Sequence, residues 1–181
     1  MPIFARTKLV LQENCFEFTV PEMYFKYKGK NPQLAYNKIR ELFWTVFGVK
    51  ETERVQEVDY NWDKNDKRET FSIGWHITKD MDIHSYLYFK IKMKGFVEEG
   101  KNGKEGEVNV DIIGHIRTEY PQDNIWERSI FYEIARTFWH KVFYQEKRDK
   151  YTDICREIST KFRNELNHSL ILCLEVGENF G

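Results

Sequence analysis

The chain has 181 residues, with 28 Lys plus Arg against 29 Asp plus Glu and a formal net charge of −1. That length suits one domain of ordinary size with a buried core, expected to span residues 1–181, and 41% hydrophobic with 16% aromatic residues excludes a wholly disordered chain. Balanced charge argues against a general nucleic-acid binder with a basic surface, and no apolar run approaches the roughly 20 residues of a spanning helix. No secretory signal is visible at Met1–Arg6.

Residues 7–20 read as extended, with Phe16, Phe18 and Val20 alternating with Glu17 and Thr19 until Pro21. The stretch from Tyr24 to Lys30 is basic and aromatic, and reads as a linker with solvated lysines and one or two rings tucked into the core. A helix follows, capped by Asn31, with Pro32 at its first position and Gly48 beyond its end. Ala35, Ile39, Leu42, Phe43 and Val46 form its apolar stripe.

Four period-two segments come next. Val58, Tyr60 and Trp62 share a face, then Phe71, Ile73, Trp75 and Ile77, after the polar turn 63–68. Beyond a turn at 79–82, Leu87, Phe89, Ile91 and Met93 alternate with Tyr86, Tyr88, Lys90, Lys92 and Lys94. The fourth segment has Val108, Val110, Ile112 and Ile116 inward. Amphipathic strands joined by short turns predict an antiparallel meander. A turn centred between Lys101 and Asn102 sets Ile91 opposite Ile112 and Lys92 opposite Asp111, so both faces agree; a slip by two residues keeps the same parity and leaves the exact register open. A turn centred on Asp80 sets His76 opposite His84.

After Pro121, Phe131, Ile134, Phe138 and Val142 lie on one helical face, and the stripe resumes at Tyr151, Ile154, Cys155, Ile158, Phe162, Leu166 and Leu170. An unbroken helix from 124 to 173 would be about 75 Å long at 1.5 Å per residue, so a bend or break is expected near 145–150. The fold expected is α+β: a meander of about five strands, packed on one face by a helix from the N-terminal half and a long C-terminal helix.

Three cysteines, Cys15, Cys155 and Cys173, are odd in number and far apart. This reads as free thiols in a reducing cytoplasm rather than as a disulfide framework or zinc site. No phosphate loop, HExxH, CxxC or GxSxG is present, and no nucleophile has a matched base, so the chain reads as non-enzymatic, without a cofactor.

Four constellations remain as candidates. The rings Tyr60, Trp62, Phe71, Trp75 and Phe89, with Phe131 and Phe138 from the helix, could line an apolar ligand pocket. Tyr86, Tyr88, Lys90, Lys92 and Lys94 form a ring-and-cation face of the kind that binds nucleic acid, although Glu107, Asp111 and Glu119 share it. His76, His84 and Glu119, with His115 on the same face, are the candidate metal ligands. Phe138, Trp139, Val142 and Phe143 are wider than one helix face and could form an apolar patch for a protein partner.

The stretches FEFTVPEMY (16–24) through YKGKNP (27–32), and RSIFY (128–132), resemble a group of small uncharacterised archaeal proteins. The element order is also similar to the helix-grip architecture of START-like lipid and polyketide binders, which usually has more strands and two short helices after the first strand. That resemblance implies a cavity between sheet and long helix. Together these readings point to a cytoplasmic binding module for a small apolar ligand or a protein partner. Nucleic-acid association through the Tyr/Lys face and a metal-dependent enzyme using the outer histidines are the alternatives.

Overall fold

The computed structural model describes residues 8–16, 22–50, 54–65, 68–100, 103–121, 130–139, 142 and 144–178. Six strands form one antiparallel sheet: β1 (Lys8–Asn14), β2 (Met23–Lys30), β3 (Val55–Lys64), β4 (Arg68–Asp80), β5 (Ser85–Gly100) and β6 (Gly103–Pro121). The helices are α1 (Leu34–Thr45), α2 (Ile130–Trp139) and α3 (Gln145–Glu178). The sheet order is β1-β6-β5-β4-β3, and β2 also pairs with β6. Strands β1 and β2 therefore lie in tandem along one edge of β6, against residues 115–121 and 105–112.

The sixth strand is β2, where a linker was expected. Phe25 and Tyr27 are buried while Tyr24, Lys26 and Lys28 are exposed, which is the period of a half-buried strand. Its lysines are solvated as anticipated, but its backbone completes the sheet. Of the first extended segment, β1 ends at Asn14, and Phe18 and Val20 lie outside the described residues.

The β5–β6 pairing has the expected register, with Ile91 opposite Ile112 and Lys92 opposite Asp111. Gly103 closes the hairpin with a φ of 113°, which a side chain would disfavour. The β4–β5 register differs from expectation: His76 faces Lys90, not His84. Thr78, Lys79 and Asp80 remain paired in β4, and the chain reverses through Asp82. The Asp82 carboxylate accepts the backbone N–H groups of His84 (2.8 Å) and Ser85 (2.7 Å), an Asx turn that fixes the reversal three residues late.

Helix α1 starts two residues after Pro32 and has no side-chain cap. Asn31 adopts the left-handed conformation instead (φ 52°), and its carbonyl accepts from Leu34 N. Gly48 ends the helix with φ 64°, as its position implied. The expected bend or break does not fall at 145–150, which are regular helix of α3, while Val142 and Tyr144 before it adopt the wider π-helical turn. The reason is burial: Tyr144 and Arg148 turn inward here, and Arg148 pairs with Glu13 of β1.

One core lies between the inner sheet face, α1 and α3. Ile39, Leu42 and Phe43 of α1 and Cys155, Phe162, Leu166 and Leu170 of α3 are all buried against it. Cys15 and Cys155 form a disulfide, 140 residues apart in sequence. This corrects the expectation of free thiols. Both cysteines do behave as buried apolar side chains, but they meet, because β1 runs past the face of α3. Gly114 makes room: a Cβ there would lie 2.8 Å from Cys155 Sγ. Such bonds belong to oxidising compartments or to intracellular proteins of hyperthermophiles.

Candidate functional site

Between the sheet and the helices the inner rings pack against one another. Phe47 sits between the layers, with ring centroids 4.9 Å from Phe89 and 5.4 Å from Phe162. Phe43 meets Trp75 at 5.8 Å, and Trp62 stacks on Phe71 at 5.1 Å. Trp75 Nε1–H donates to Glu57 (3.0 Å), which also accepts from Tyr36. Trp75, Phe71 and Phe89 are thus packed core side chains in edge and stacked contacts. Tyr60 is more than half exposed at the β3 margin, beside Trp62 and Tyr36.

Phe131 and Phe138 do not join these rings. They lie on α2, where Phe131 is 81% exposed, Ile134 and Phe138 63% each, and Val142, just past the helix, 54%. Trp139 beside them is 57% exposed. On the other side of α2, Arg136 lies over the Tyr120 ring of β6, 5.4 Å from its centroid. The helix therefore meets the end of β6 through a cation–π contact and carries its apolar stripe outward, the reverse of α1 and α3. Periodicity correctly groups residues 131, 134, 138 and 142 on one face, but that face points away from the core. Phe143 lies outside the described residues.

On the outer sheet face, Tyr88 packs between His76 (5.3 Å) and His115 (6.5 Å), with the Arg117 guanidinium 4.0 Å above its ring. Burial, then the charges of Lys90 and Arg117, hold both imidazoles below their ordinary pKa, so they are neutral at pH 7. Tyr86 donates to Glu119 (2.7 Å). Lys92 stands opposite Asp111, Lys94 opposite Asn109, and Lys26 of β2 pairs with Glu107 at 2.8 Å. Carboxylates of β6 thus run between the lysine rows of β5 and β2, and the Tyr88 ring is already covered. A hollow of about 260 Å³ lies on this face over Gly74, lined by His76, Lys90, Lys92, Asp59 and Asp111.

His84 sits in the β4–β5 turn against Tyr120, 5.6 Å between ring centroids, while His76 lies at mid-strand beside Tyr88. The structure therefore does not pair His76 with His84. Among the described residues no three His, Cys, Asp or Glu side chains gather where a metal ion could sit. No helix among them is long and apolar enough to cross a membrane.

A polar cluster that sequence patterning did not reveal anchors the start of α3. Tyr144 and Tyr151 donate to Asp82 Oδ2 (2.6 and 2.9 Å), and Ser85 Oγ joins Tyr144 to Thr118. Burial alone would raise the Asp82 pKa, but the hydroxyl and backbone donors together outweigh it and hold the carboxyl below its ordinary value. Its stabilising effect is thus complete above the unfolded-state pKa of about 3.9 and is lost as pH falls below that through the folded value. Asp82→Asn keeps the turn acceptor but replaces the oxygen shared by the two tyrosines. Urea titrations are expected to show a loss of about 1–3 kcal/mol at pH 7 and a shallower acid limb; an unchanged pH profile would remove Asp82 from this role.

No family model matches the chain, and no curated protein does. Among solved structures it is similar to a protein of unknown function from Staphylococcus aureus, at 10% identity over 93% of this chain and 98% of that one, with a TM-score of 0.31. It is also similar to Ara h 8.0201 (11% identity, 78% and 96% coverage, TM-score 0.17) and to an uncharacterized protein from Rhizobium leguminosarum (10%, 90% and 99%, TM-score 0.15). Similarities at this level say nothing about what this chain binds.

Proposed function

We propose that the chain is a binding module that engages a protein partner through the outward apolar face of α2. The single observation carrying this reading is the orientation of that helix. Phe131, Ile134, Phe138 and Val142 recur at helical spacing, and all are more than half exposed. Exposing apolar surface costs about 25 cal/mol per Å² relative to burying it, and contiguous patches of this kind mark interaction sites. The close ring contacts of Phe47 with Phe89 and Phe162 favour this reading over a small apolar ligand. The interleaved carboxylates of β6 favour it over nucleic acid.

The double variant Phe131→Ser/Phe138→Ser tests the reading through an apolar dye. Exposed substitutions away from the core leave stability within about 0.5 kcal/mol, so the variant is expected to unfold at the wild-type temperature. At submicromolar protein, where copies are dissociated, its binding of anilinonaphthalene sulfonate is expected to fall well below that of the wild type. Equal dye binding by both proteins would place the accessible apolar surface elsewhere and end this reading.

A further inference from the structure

We propose that the occupant of the α2 face is a second copy of this chain, in a symmetric dimer that buries one apolar stripe against the other. This rests on the reading of α2 as the docking surface and names its partner.

Area is the first argument. Phe131, Phe138 and Trp139 are each more than half exposed, and a fully buried aromatic ring removes about 150–250 Å² from water. With Ile134 and Val142 the patch offers on the order of 500–700 Å², close to the roughly 800 Å² per partner of a standard interface. A two-fold contact uses the same patch on both sides, so it needs no separately shaped partner. Antiparallel placement sets the Phe131 end of one stripe against the Phe138–Val142 end of the other, ring beside aliphatic side chain.

Charge is the second. The net charge of −1 leaves two copies almost free of mutual repulsion. From Ile130 to Val142 the ionised residues are one acid, Glu133, and two bases, Arg136 and Lys141. A helix that lies on anionic lipid carries Lys and Arg along its polar face, and α2 has no such row. The same neutrality that permits self-association gives a lipid surface nothing to attract.

The test is sedimentation of the wild type, Ile134→Asp and Phe138→Asp from about 1 to 100 μM, with circular dichroism to establish that each is folded. Ile134 and Phe138 are nearest the middle of the stripe, where truncation costs most. The wild type is expected to be a dimer across the upper part of this range. Either substitution is expected to raise the dissociation constant by roughly 30-fold or more. Two variants keep the result readable should one fold poorly. A wild type that stays monomeric at 100 μM overturns the dimer. Radical footprinting of that monomer then separates the two claims: oxidised Phe131 and Phe138 leave α2 available to another partner, whereas protected rings overturn the α2 reading as well. A dimer equally tight in both variants uses another surface and overturns the α2 dimer, and the same footprinting then decides whether α2 remains open to another partner. Flotation of the wild type with phosphatidylcholine–phosphatidylglycerol vesicles, lost in Phe138→Asp, would assign the face to lipid and overturn the dimer.

Discussion

Replacing Cys155 by alanine is expected to lower the free energy of unfolding by about 2–5 kcal/mol. The partner, Cys15, lies 140 residues away. Loop-closure entropy grows with the logarithm of that separation, and a loop of about 100 residues already corresponds to about 4.7 kcal/mol. Both sulfurs are fully buried, so the variant also leaves a small apolar void beneath Gly114. Other contacts hold the same junction and set the lower bound. Arg148 pairs with Glu13, and Arg156 Nε donates to the Cys15 carbonyl at 2.7 Å. At roughly 2–4 °C per kcal/mol for a chain of this size, the thermal midpoint should drop by about 5–15 °C. Alkylation of the denatured, unreduced wild type should label one cysteine of the three, Cys173. Three labelled cysteines, with equal midpoints for wild type and variant, would contradict the bond.

Phe47→Ala is expected to cost about 3–5 kcal/mol, in the range of fully buried Phe to Ala changes. Phe47 ends the α1 region and touches the sheet through Phe89, α3 through Phe162 and α1 through Phe43. Removing its ring takes contacts from three layers at once, and none of the three can collapse without moving the others. The same measurement examines whether the interior is filled. In a close-packed core the full cost appears. If sheet and long helix instead enclosed slack space, its neighbours would relax into the gap, and denaturant titration would show a loss under about 1 kcal/mol. That result would return weight to a small apolar ligand held between sheet and α3.

The sheet was legible where both faces of a strand carried a signal. Ile91 against Ile112 and Lys92 against Asp111 admit one parity, and of the registers that share it the structure has the one centred between Lys101 and Asn102, flanked by Gly100 and Gly103. The β4–β5 turn has no glycine. Its reversal depends on the Asp82 side chain capping two backbone N–H groups, and placing the turn at Asp80 moved His76 from Lys90 to His84. Strand β2 hid behind its composition: Lys26, Lys28 and Lys30 drew attention from the buried Phe25 and Tyr27. Proximity of residues 15 and 155 depends on how distant elements pack, which no local pattern encodes. The site was half legible for a related reason. A 3.6-residue period shows which side chains of α2 share a face. Whether that face meets the core depends on what else fills it, and here Phe43, Phe47 and Phe162 already do.

Hydroxyl-radical footprinting with residue-resolved mass spectrometry tests the central claim most directly, because it reads the faces of all the helices in one experiment. At submicromolar protein, where copies are dissociated, Phe131, Phe138 and Trp139 are expected to oxidise as exposed rings, and Phe43, Phe47 and Phe162 to stay protected. At 100 μM the three α2 rings should become protected while the core rings do not change. Protection of Phe131 and Phe138 at both concentrations would mean that α2 packs its apolar face inward, and that this chain has no such surface to offer.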